Sequence, residues 1–542
     1  MPSIAFNYLG NVGGIGDATG DFLPDPSDPA LPGTVTGAMA TSSILSINAS
    51  TRKGGGLIAD LSFPAALLDR TDMDDLGDRW CAELAAIVEY VDDAGDVGLS
   101  PSDVQGADVI QADLDELAGR FPGAAVWSLS PLQRGLYFQS DLAATGRESG
   151  AHDVYVVQAV VTLEGQVDGD RLHRAARRLL AAHRVLRSGF LRTRDGEVVA
   201  VVPESVDVPW RAIVLDGELS PADAEHAVHE LAEEERMTPF DLDAPPLIRF
   251  ALVSHGQRAR LVVTTHHILL DGWSSPLVLA DLLSLYTTER TFTGAGRGHD
   301  GGPAPDYADF LAYLARADDV AAQQQWRELL SRLEQPTIVA PGFEATTDQL
   351  PRDHTEFLDA GQVAELDSLT KALGVTLSTV LQFAWAVVLS RLTGNRVVAF
   401  GETVSGRPAE LEGVESMVGL FINTLPAVVD VDPESSIGTV LAGMQADKVK
   451  VLDHQHVALS DLVSYTGLPT LFDTLTVYES YPVDSESLSA VDAGGVRVVD
   501  VAGRDATHYP LNLSAGPAGD RVSITLKYLP AAFSDTQIRD LT

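Results

Sequence analysis

Cysteine is almost missing. The 542 residues contain one, Cys81, so neither a disulfide framework nor a multi-cysteine metal site can form within the chain. Basic residues are scarce too: 37 Lys and Arg face 77 Asp and Glu, a formal net charge of -40. Such a field repels phosphate backbones and anionic membranes, so neither nucleic acid nor a membrane is expected as a partner. No run of about 18 uncharged apolar residues reads as a membrane span. The opening MPSIAFNYLG lacks the charged start and apolar middle of a signal peptide. These absences place the chain in a reducing cytoplasm. Two enzyme signatures are also lacking, the GxxxxGK(S/T) phosphate loop and the GxSxG nucleophile elbow.

What is present reads as globular, with 45% hydrophobic and 21% charged residues. The length suggests about three compact units. The main organisational feature is an internal echo. IAFNYLGN, then SSILSINASTRKGGGLIADLSFPAALLDRTDMDDL from Ser42, matches TLTVYESYP, then HYPLNLSAGPAGDRVSITLKYLPAAFSDTQIRDL from His508. Each copy reads as strand, loop, strand, Gly-containing turn, strand, proline and a helix. Asn48 aligns with Asn512, Leu61 with Leu526, Phe63 with Tyr528, Pro64 with Pro530 and Leu76 with Leu541. A repeated supersecondary unit implies a duplicated domain type, of which the first copy holds only the last part.

Trp80–Val91 has helical periodicity and closes the first unit. Residues 96–126 read as a linker with a short helix around Ala112–Leu117. Beyond it strands and helices alternate. Val154–Leu163 is a strand, and Asp170–Val185 an amphipathic helix with Leu172, Ala176, Leu179 and His183 on one stripe. Leu247–Ser254 and Arg260–Thr265 form a hairpin turning at His255-Gly256. Leu277–Tyr286 is a helix with Ser275 as cap and Pro276 at its first position. A polar stretch, Thr291–Pro305, separates two halves, after which Thr376–Leu392 is an apolar helix and Arg396–Glu402 a buried strand. The expectation is an α/β chain with mixed sheets in two lobes.

The chemistry centres on His266-His267-Ile268-Leu269-Leu270-Asp271-Gly272, in a strand-to-helix loop. Neighbouring residues leaving a strand point to opposite sides, so one histidine faces a substrate and the other packs inward. An imidazole near its ordinary pKa can take or give a proton at neutral pH. Asp271 beside an apolar core needs a partner, and Arg407, in the segment 401–408, is the candidate. Gly272 permits a backbone geometry or close approach that a Cβ would block. Against this stands the plainer reading of two ordinary histidines at a strand end, or a weak metal signal without a further ligand cluster.

Other signals are set aside. GGIGDATG over 13–20 has the spacing GxGxxxG and no βαβ unit around it. The run Glu233-Glu234-Glu235 reads as a solvated helix face. His152, His173 and His354 have no partner pattern.

HHILLDG with Trp273-Ser274 resembles the HHxxxDG signature of condensation domains of nonribosomal peptide synthetases. Other motifs follow in that family's order: LSPLQRGL from Leu129, HRVLRSGF from His183, YADF from Tyr307 and VGLFINT from Val418. His454-Gln455-His456, Phe472-Asp473 and Tyr509-Pro510-Leu511 resemble its late landmarks. The resemblance covers Trp127–Thr542. It implies two chloramphenicol-acetyltransferase-like lobes in a V with a central tunnel, the N-lobe at 127–297 and the C-lobe at 298–542. It makes His267 catalytic, His266 structural and Asp271 the structural partner of an arginine. It also sets Trp273, Ser274 and Asn423 along the tunnel, although packing is an equal reading for Asn423.

Residues 1–95 resemble the C-terminal end of an epimerization domain, which shares the fold, so the echo is explained. Without an HHxxxDG lobe this part cannot be catalytic alone, and both chain ends look cut from something longer. The spelling SPLQxG and HHILLDGW resembles the subtype that takes a D-configured donor and an L-configured acceptor. The implied reaction is amide-bond formation, with no bound cofactor or metal, between thioesters on the phosphopantetheine arms of upstream donor and downstream acceptor peptidyl carrier domains, beside flanking synthetase domains. Rivals are an epimerization domain, disfavoured because no EGHGRE-like segment follows, and a catalytically silent recruitment platform, disfavoured by the intact motif. A heterocyclization domain would carry aspartate in place of the histidines.

Overall fold

A computed structural model of the chain describes residues 4–11, 43–51, 56–94, 98–145, 153–287, 306–343, 351–479 and 495–541. The glycine-rich 13–20, His152 and the polar stretch 291–305 lie outside them. The chain divides into two compact units, Met1–Val97 and Gly98–Thr542.

In the first unit, Ile4–Asn11 runs parallel to Leu45–Thr51, which pairs antiparallel with Leu57–Ser62. The helix Arg70–Ala94 follows, longer than the expected Trp80–Val91. The second unit ends in the same arrangement. Thr474–Tyr478 runs parallel to Leu511–Ala518, which pairs antiparallel with Arg521–Tyr528 ahead of the helix Asp535–Leu541. The sequence echo thus has a counterpart in strand order and direction. The copies differ in what surrounds them. Thr474, Leu475 and Thr476 are buried, and Val397–Val404 pairs with their strand on its other side. In the first copy Ile4, Phe6 and Tyr8 are 58%, 60% and 55% exposed, and among the described residues Ile4–Asn11 is an edge strand.

Among the described residues, the second unit holds three sheets. One has, in spatial order, Arg497–Arg504, Val156–Glu164, Arg258–His266, Ile248–His255 and Trp210–Val214. Another has Arg352–Leu358, Arg521–Tyr528, Leu511–Ala518, Thr474–Tyr478, Val397–Val404 and Asn423–Asp430. A small third sheet joins Ala125–Trp127, Val198–Val202 and Gly189–Arg192. The expected hairpin is the central pair of the first sheet, and its turn uses Gly256 at φ +60°, a conformation that costs a glycine little. The helix Gly169–Ala182 starts where the Asp168 carboxylate accepts the Arg171 N–H at 2.9 Å, and its buried stripe is Leu172, Ala175, Ala176, Leu179 and Leu180. It stops short of His183, which turns to hydrogen-bond Asp281 at 2.8 Å.

Two features depart from the expected division. The segment expected as a linker, 96–126, is folded from Gly98 onward. Its Val104, Val109, Leu114 and Leu117 bury themselves with Val126, Leu191, Val199 and Val201, and a chain with that much apolar surface gains by packing it. Further, Arg497–Arg504, late in the sequence, joins the sheet of the first half beside Val156–Glu164. A boundary near 297 therefore separates the halves in sequence but not in hydrogen bonding. Among the described residues no single helix is long and apolar enough to cross a membrane.

Candidate active site

The strand Arg258–His266 delivers the HHILLDG segment, and the helix Ser274–Thr287 carries the chain away from it. The helix begins before the expected Ser275 cap, because Asp271 takes that part: its Oδ1 accepts the Ser274 N–H at 2.8 Å. A carboxylate at a helix N-terminus also meets the positive end of the helix dipole. Ser275 instead donates its hydroxyl to the Asp271 carbonyl at 3.0 Å, and Gly272 is half-buried in the turn between them. From the other side Gln133 supports the loop. Its side-chain oxygen accepts the Ser130 N–H while Ser130 Oγ accepts the Gln133 N–H, a reciprocal cap that starts the helix Pro131–Thr145. Its Nε2 then donates to the Ile268 carbonyl at 3.1 Å.

The two histidines have opposite environments. His266 is fully buried. Its Nδ1 accepts the Ile268 N–H at 3.1 Å, so that nitrogen carries no proton. Its Nε2 therefore carries it, facing Asp153 Oδ2 at 3.1 Å and Ser140 Oγ at 3.0 Å. Burial pushes the Asp153 carboxyl up, but hydrogen bonds from His266, the Tyr155 N–H and Ser140 outweigh it and hold the group below the usual carboxylate range. Both ring nitrogens of His266 are thus committed. His267 is only half-buried. Its Nδ1 lies 2.7 Å from the Leu270 carbonyl, which can only accept, so Nδ1 carries the proton and Nε2 keeps its lone pair. Only the second histidine has a nitrogen free to take a proton.

Asp271 and Arg407 meet at 3.5 Å with side chains 0% and 4% exposed. Burial lowers the Arg407 guanidinium, and the Asp271 carboxylate partly restores it. The pair is embedded in backbone bonds between the halves. Asp271 Oδ2 accepts the Phe421 N–H at 2.9 Å, and the Asp271 N–H donates to the Gly419 carbonyl at 3.2 Å. Ser274 Oγ donates to that carbonyl at 2.8 Å, and it accepts both the Gly419 N–H at 3.1 Å and an Arg407 N–H at 2.9 Å. Arg407 also donates to the Val414 and Met417 carbonyls and lies 3.9 Å over the Phe421 ring. Gly419 is required here. A Cβ on it would stand 2.2 Å from the Tyr307 ring, whose hydroxyl donates to the Leu420 carbonyl at 2.7 Å. The segments LSPLQ, HHILLDGWS, YADF and VGLFINT therefore converge on one seam.

Trp273 donates its indole N–H to the Glu415 carbonyl at 3.0 Å. Asn423 lines a cavity of about 220 Å³ with Arg407 and Gln455. Its amide nitrogen is spent on the Gln455 and Val457 carbonyls, at 2.7 and 2.8 Å, so it braces that loop. Residues outside the expected set also reach His267. Its N–H donates to the Tyr155 carbonyl at 2.8 Å, and Tyr155 Oη lies 2.5 Å from His508 Nδ1. Burial depresses His508 to about 4, leaving it neutral, and raises Tyr155. His508 and Tyr509 also line a cavity of about 370 Å³ with Phe472 and Asp473. The only sequence signal for this second layer is the Tyr509-Pro510-Leu511 landmark, which adjoins His508 without including it. Tyr155 and Asp153 carried none, because their roles depend on strand register. Among the described residues no group of His, Cys, Asp and Glu side chains could hold a metal ion.

Known proteins resemble this chain in sequence and fold. Residues 124–542 match the family model described as Condensation domain. A linear gramicidin synthase protein of Brevibacillus parabrevis is 30% identical over 556 residues, covering 99% of this chain and 10% of that protein. Chondramide synthase cmdD of Chondromyces crocatus is 35% identical over 370 residues, covering 67% of this chain and 9% of that protein. The chain thus spans about a tenth of the length of these curated relatives. Among solved structures, the first condensation domain of the calcium-dependent antibiotic synthetase superposes with a TM-score of 0.59 at 22% identity, covering 77% of this chain and 94% of that one. The starter condensation domain of rhizomide synthetase gives 0.61 at 18%, covering 79% and 94%. The fold is accordingly the pair of chloramphenicol-acetyltransferase-like lobes. With the family model matching over the whole region that builds the seam, this chain belongs to the condensation-domain family of nonribosomal peptide synthetases, transferases that form peptide bonds.

Proposed function

We propose that the second unit joins a donor acyl thioester to the amine of an aminoacyl thioester, both held on phosphopantetheine arms of peptidyl carrier domains. The observation that carries this reading is the free Nε2 of His267, fixed by the bond from Nδ1 to the Leu270 carbonyl at 2.7 Å. An amine attacking a thioester must shed a proton, and an imidazole held in this tautomer can receive it. The thioester supplies the driving force, so alignment of two carrier arms along a tunnel between the lobes is the protein's main task. The chemistry needs no bound cofactor or metal. His266, Asp271 and Arg407 hold the loop, while Trp273, Ser274 and Asn423 brace its surroundings. An exposed free thiol at Cys81 suits a reducing cytoplasm.

The donor is read as D-configured and the acceptor as L-configured. The spelling of SPLQxG and HHILLDGW favours this. So does the first unit, whose strand order repeats the end of the second and whose Ile4, Phe6 and Tyr8 are exposed. It reads as the last part of an epimerization-like domain of the same fold, which would supply the inverted donor.

The test loads a donor carrier with a D- or L-aminoacyl group and an acceptor carrier with an L-aminoacyl group, and follows the acceptor by intact-protein mass spectrometry. A dipeptidyl acceptor is expected, formed faster from the D-donor and lost in His267→Ala. No product from the wild-type chain would favour a recruitment platform, and undiminished product from His267→Ala would remove the histidine from the chemistry. An inverted donor without transfer would instead mark an epimerase.

A further inference from the structure

At one end of the five-stranded sheet, three chain segments leave side by side. Arg504 is paired with Gln158, and His266 with Val156. The His267 N–H continues the second ladder onto the Tyr155 carbonyl at 2.8 Å. The strand ends at Arg504, and its register carried one residue further sets Asp505 across from Val157. Side chains alternate along a strand, so Tyr155 and Val157 share a face, and the residues opposite them share it too. Asp505 and His267 therefore project from one face, two strand spacings apart across the sheet and two residues apart along it, roughly 12 Å in all. The short bond between Tyr155 and His508 holds the segment that carries Asp505 against the histidine loop.

The charges around this point come from several elements. Asp505 is tied to Lys527, whose Nζ donates to its carboxylate and, at 3.2 Å, to its carbonyl. Lys527 comes from the strand Arg521–Tyr528, across from Asp353 in the neighbouring strand. Glu479, just beyond Thr474–Tyr478, adds a second carboxylate, raised by burial and then by the repulsion of Asp505. Arg504 turns away to Glu233 and His229, the Asp153–His266 pair is sealed behind the loop, and His508 is neutral. The Asp505 side chain remains 60% exposed although protein atoms crowd it. That crowding raises its carboxyl, and Lys527 and the charge of His267 more than reverse the effect.

We propose that Asp505 is the charge partner of His267, its carboxylate stabilising the imidazolium that forms when Nε2 takes the acceptor amine's proton, with Lys527 setting how much of that charge the ring feels. The usual place for such a carboxylate, Nδ1, is held by the neutral Leu270 carbonyl, so stabilisation has to come from across the sheet. The inference rests on the proposed amide-forming reaction. In that step the C–N bond forms and the C–S bond breaks. The proton passes from the amine to Nε2 and then to the departing thiolate. Asp505 touches no reacting atom and is a positioning residue for charge.

The test needs no substrate. The full chain is labelled with carbon-13 at histidine Cε1, the His267 resonance is assigned by its loss in His267→Gln, and its titration is followed by NMR. Removing an anion disfavours imidazolium, so Asp505→Asn moves the His267 midpoint down. Between surface and bulk-water screening the expected shift is about half a unit. Lys527→Met leaves Asp505 uncompensated and moves the midpoint up by a similar amount, while Asp505→Glu stays near the wild type. Structural damage would not give opposite shifts. An unmoved midpoint in both charge-removing variants, or shifts of one sign, overturns the proposal. A chain inert with loaded carriers but showing these opposite shifts would refute the amide-forming reading and leave the charge coupling standing.

Discussion

Asp271→Asn tests the seam at its most buried point. The substitution keeps the shape of the side chain and removes its charge. Two backbone N–H groups now converge on the carboxylate, from Ser274 at 2.8 Å and Phe421 at 2.9 Å, and an amide can accept only one of them. The other is left facing an NH2 group, at about 1–3 kcal/mol for an unsatisfied buried donor. Arg407, 4% exposed, loses its counter-charge at the same time. Breaking a buried pair from one side costs about 3–5 kcal/mol in all, so a loss of about 4 kcal/mol is expected. Arg407→Met gives up bonds to the Met417 carbonyl and Ser274 Oγ and should cost about 3 kcal/mol. In the double variant neither partner leaves a lone charge, and the combined loss should fall short of the sum by about 2 kcal/mol. Urea unfolding followed by tryptophan fluorescence measures this, since five of the six tryptophans lie between Gly98 and Thr542. A single-variant loss below about 1 kcal/mol, or losses additive within about 0.5 kcal/mol, would refute the account of Asp271 as a charged clamp.

Two further outcomes follow from the same geometry. Gly419→Ala forces a Cβ to within 2.2 Å of the Tyr307 ring, so a loss of about 1–3 kcal/mol is expected from overpacking, together with slower condensation because the Gly419 carbonyl anchors Asp271 and Ser274; a stable, fully active variant would show that the seam gives way. His508, depressed to about 4 when folded against about 6.5 when unfolded, makes the unfolded chain bind more protons between those values. Stability should therefore fall as the pH drops from about 6.5 to about 4, by about 3 kcal/mol from this group, and His508→Asn should flatten that part of the stability curve.

How much of this was readable beforehand depended on whether the information was local. Hydrophobic period and glycine placement located the hairpin at His255-Gly256, because a two-residue turn is written in the residues that make it. The pairing of Asp271 with a distant arginine followed from the cost of a lone buried carboxylate, and Arg407 is where the chain supplies it. The helix after the motif starts before Ser275, the cap its sequence suggests, because Asp271, which reads as a site residue, also serves as the cap. The segment after Val97 looked like a linker because its apolar residues are spaced singly; they pack only once the sheet containing Val199 and Val201 is present to receive them. Tyr155, Asp153 and Asp505 were invisible for a similar reason, each gaining its place from a register between strands far apart in sequence.

That register also explains why one histidine of an adjacent pair can be dedicated to structure. His266, the last residue of its strand, is opposite Val156 and inherits the buried face, where Asp153, Ser140 and the Ile268 N–H consume both of its nitrogens. The alternation that buries it obliges the next residue to face the other way. His267 is then held at three points, its N–H by Tyr155, its Nδ1 by Leu270 and the loop around it by Gln133. In the proposed reaction, a base fixed this way would lose little entropy on meeting the amine. The cost is that its position depends on the second half of the chain, through Phe421, Gly419 and His508. Loosening the halves should therefore slow the reaction before it unfolds the protein.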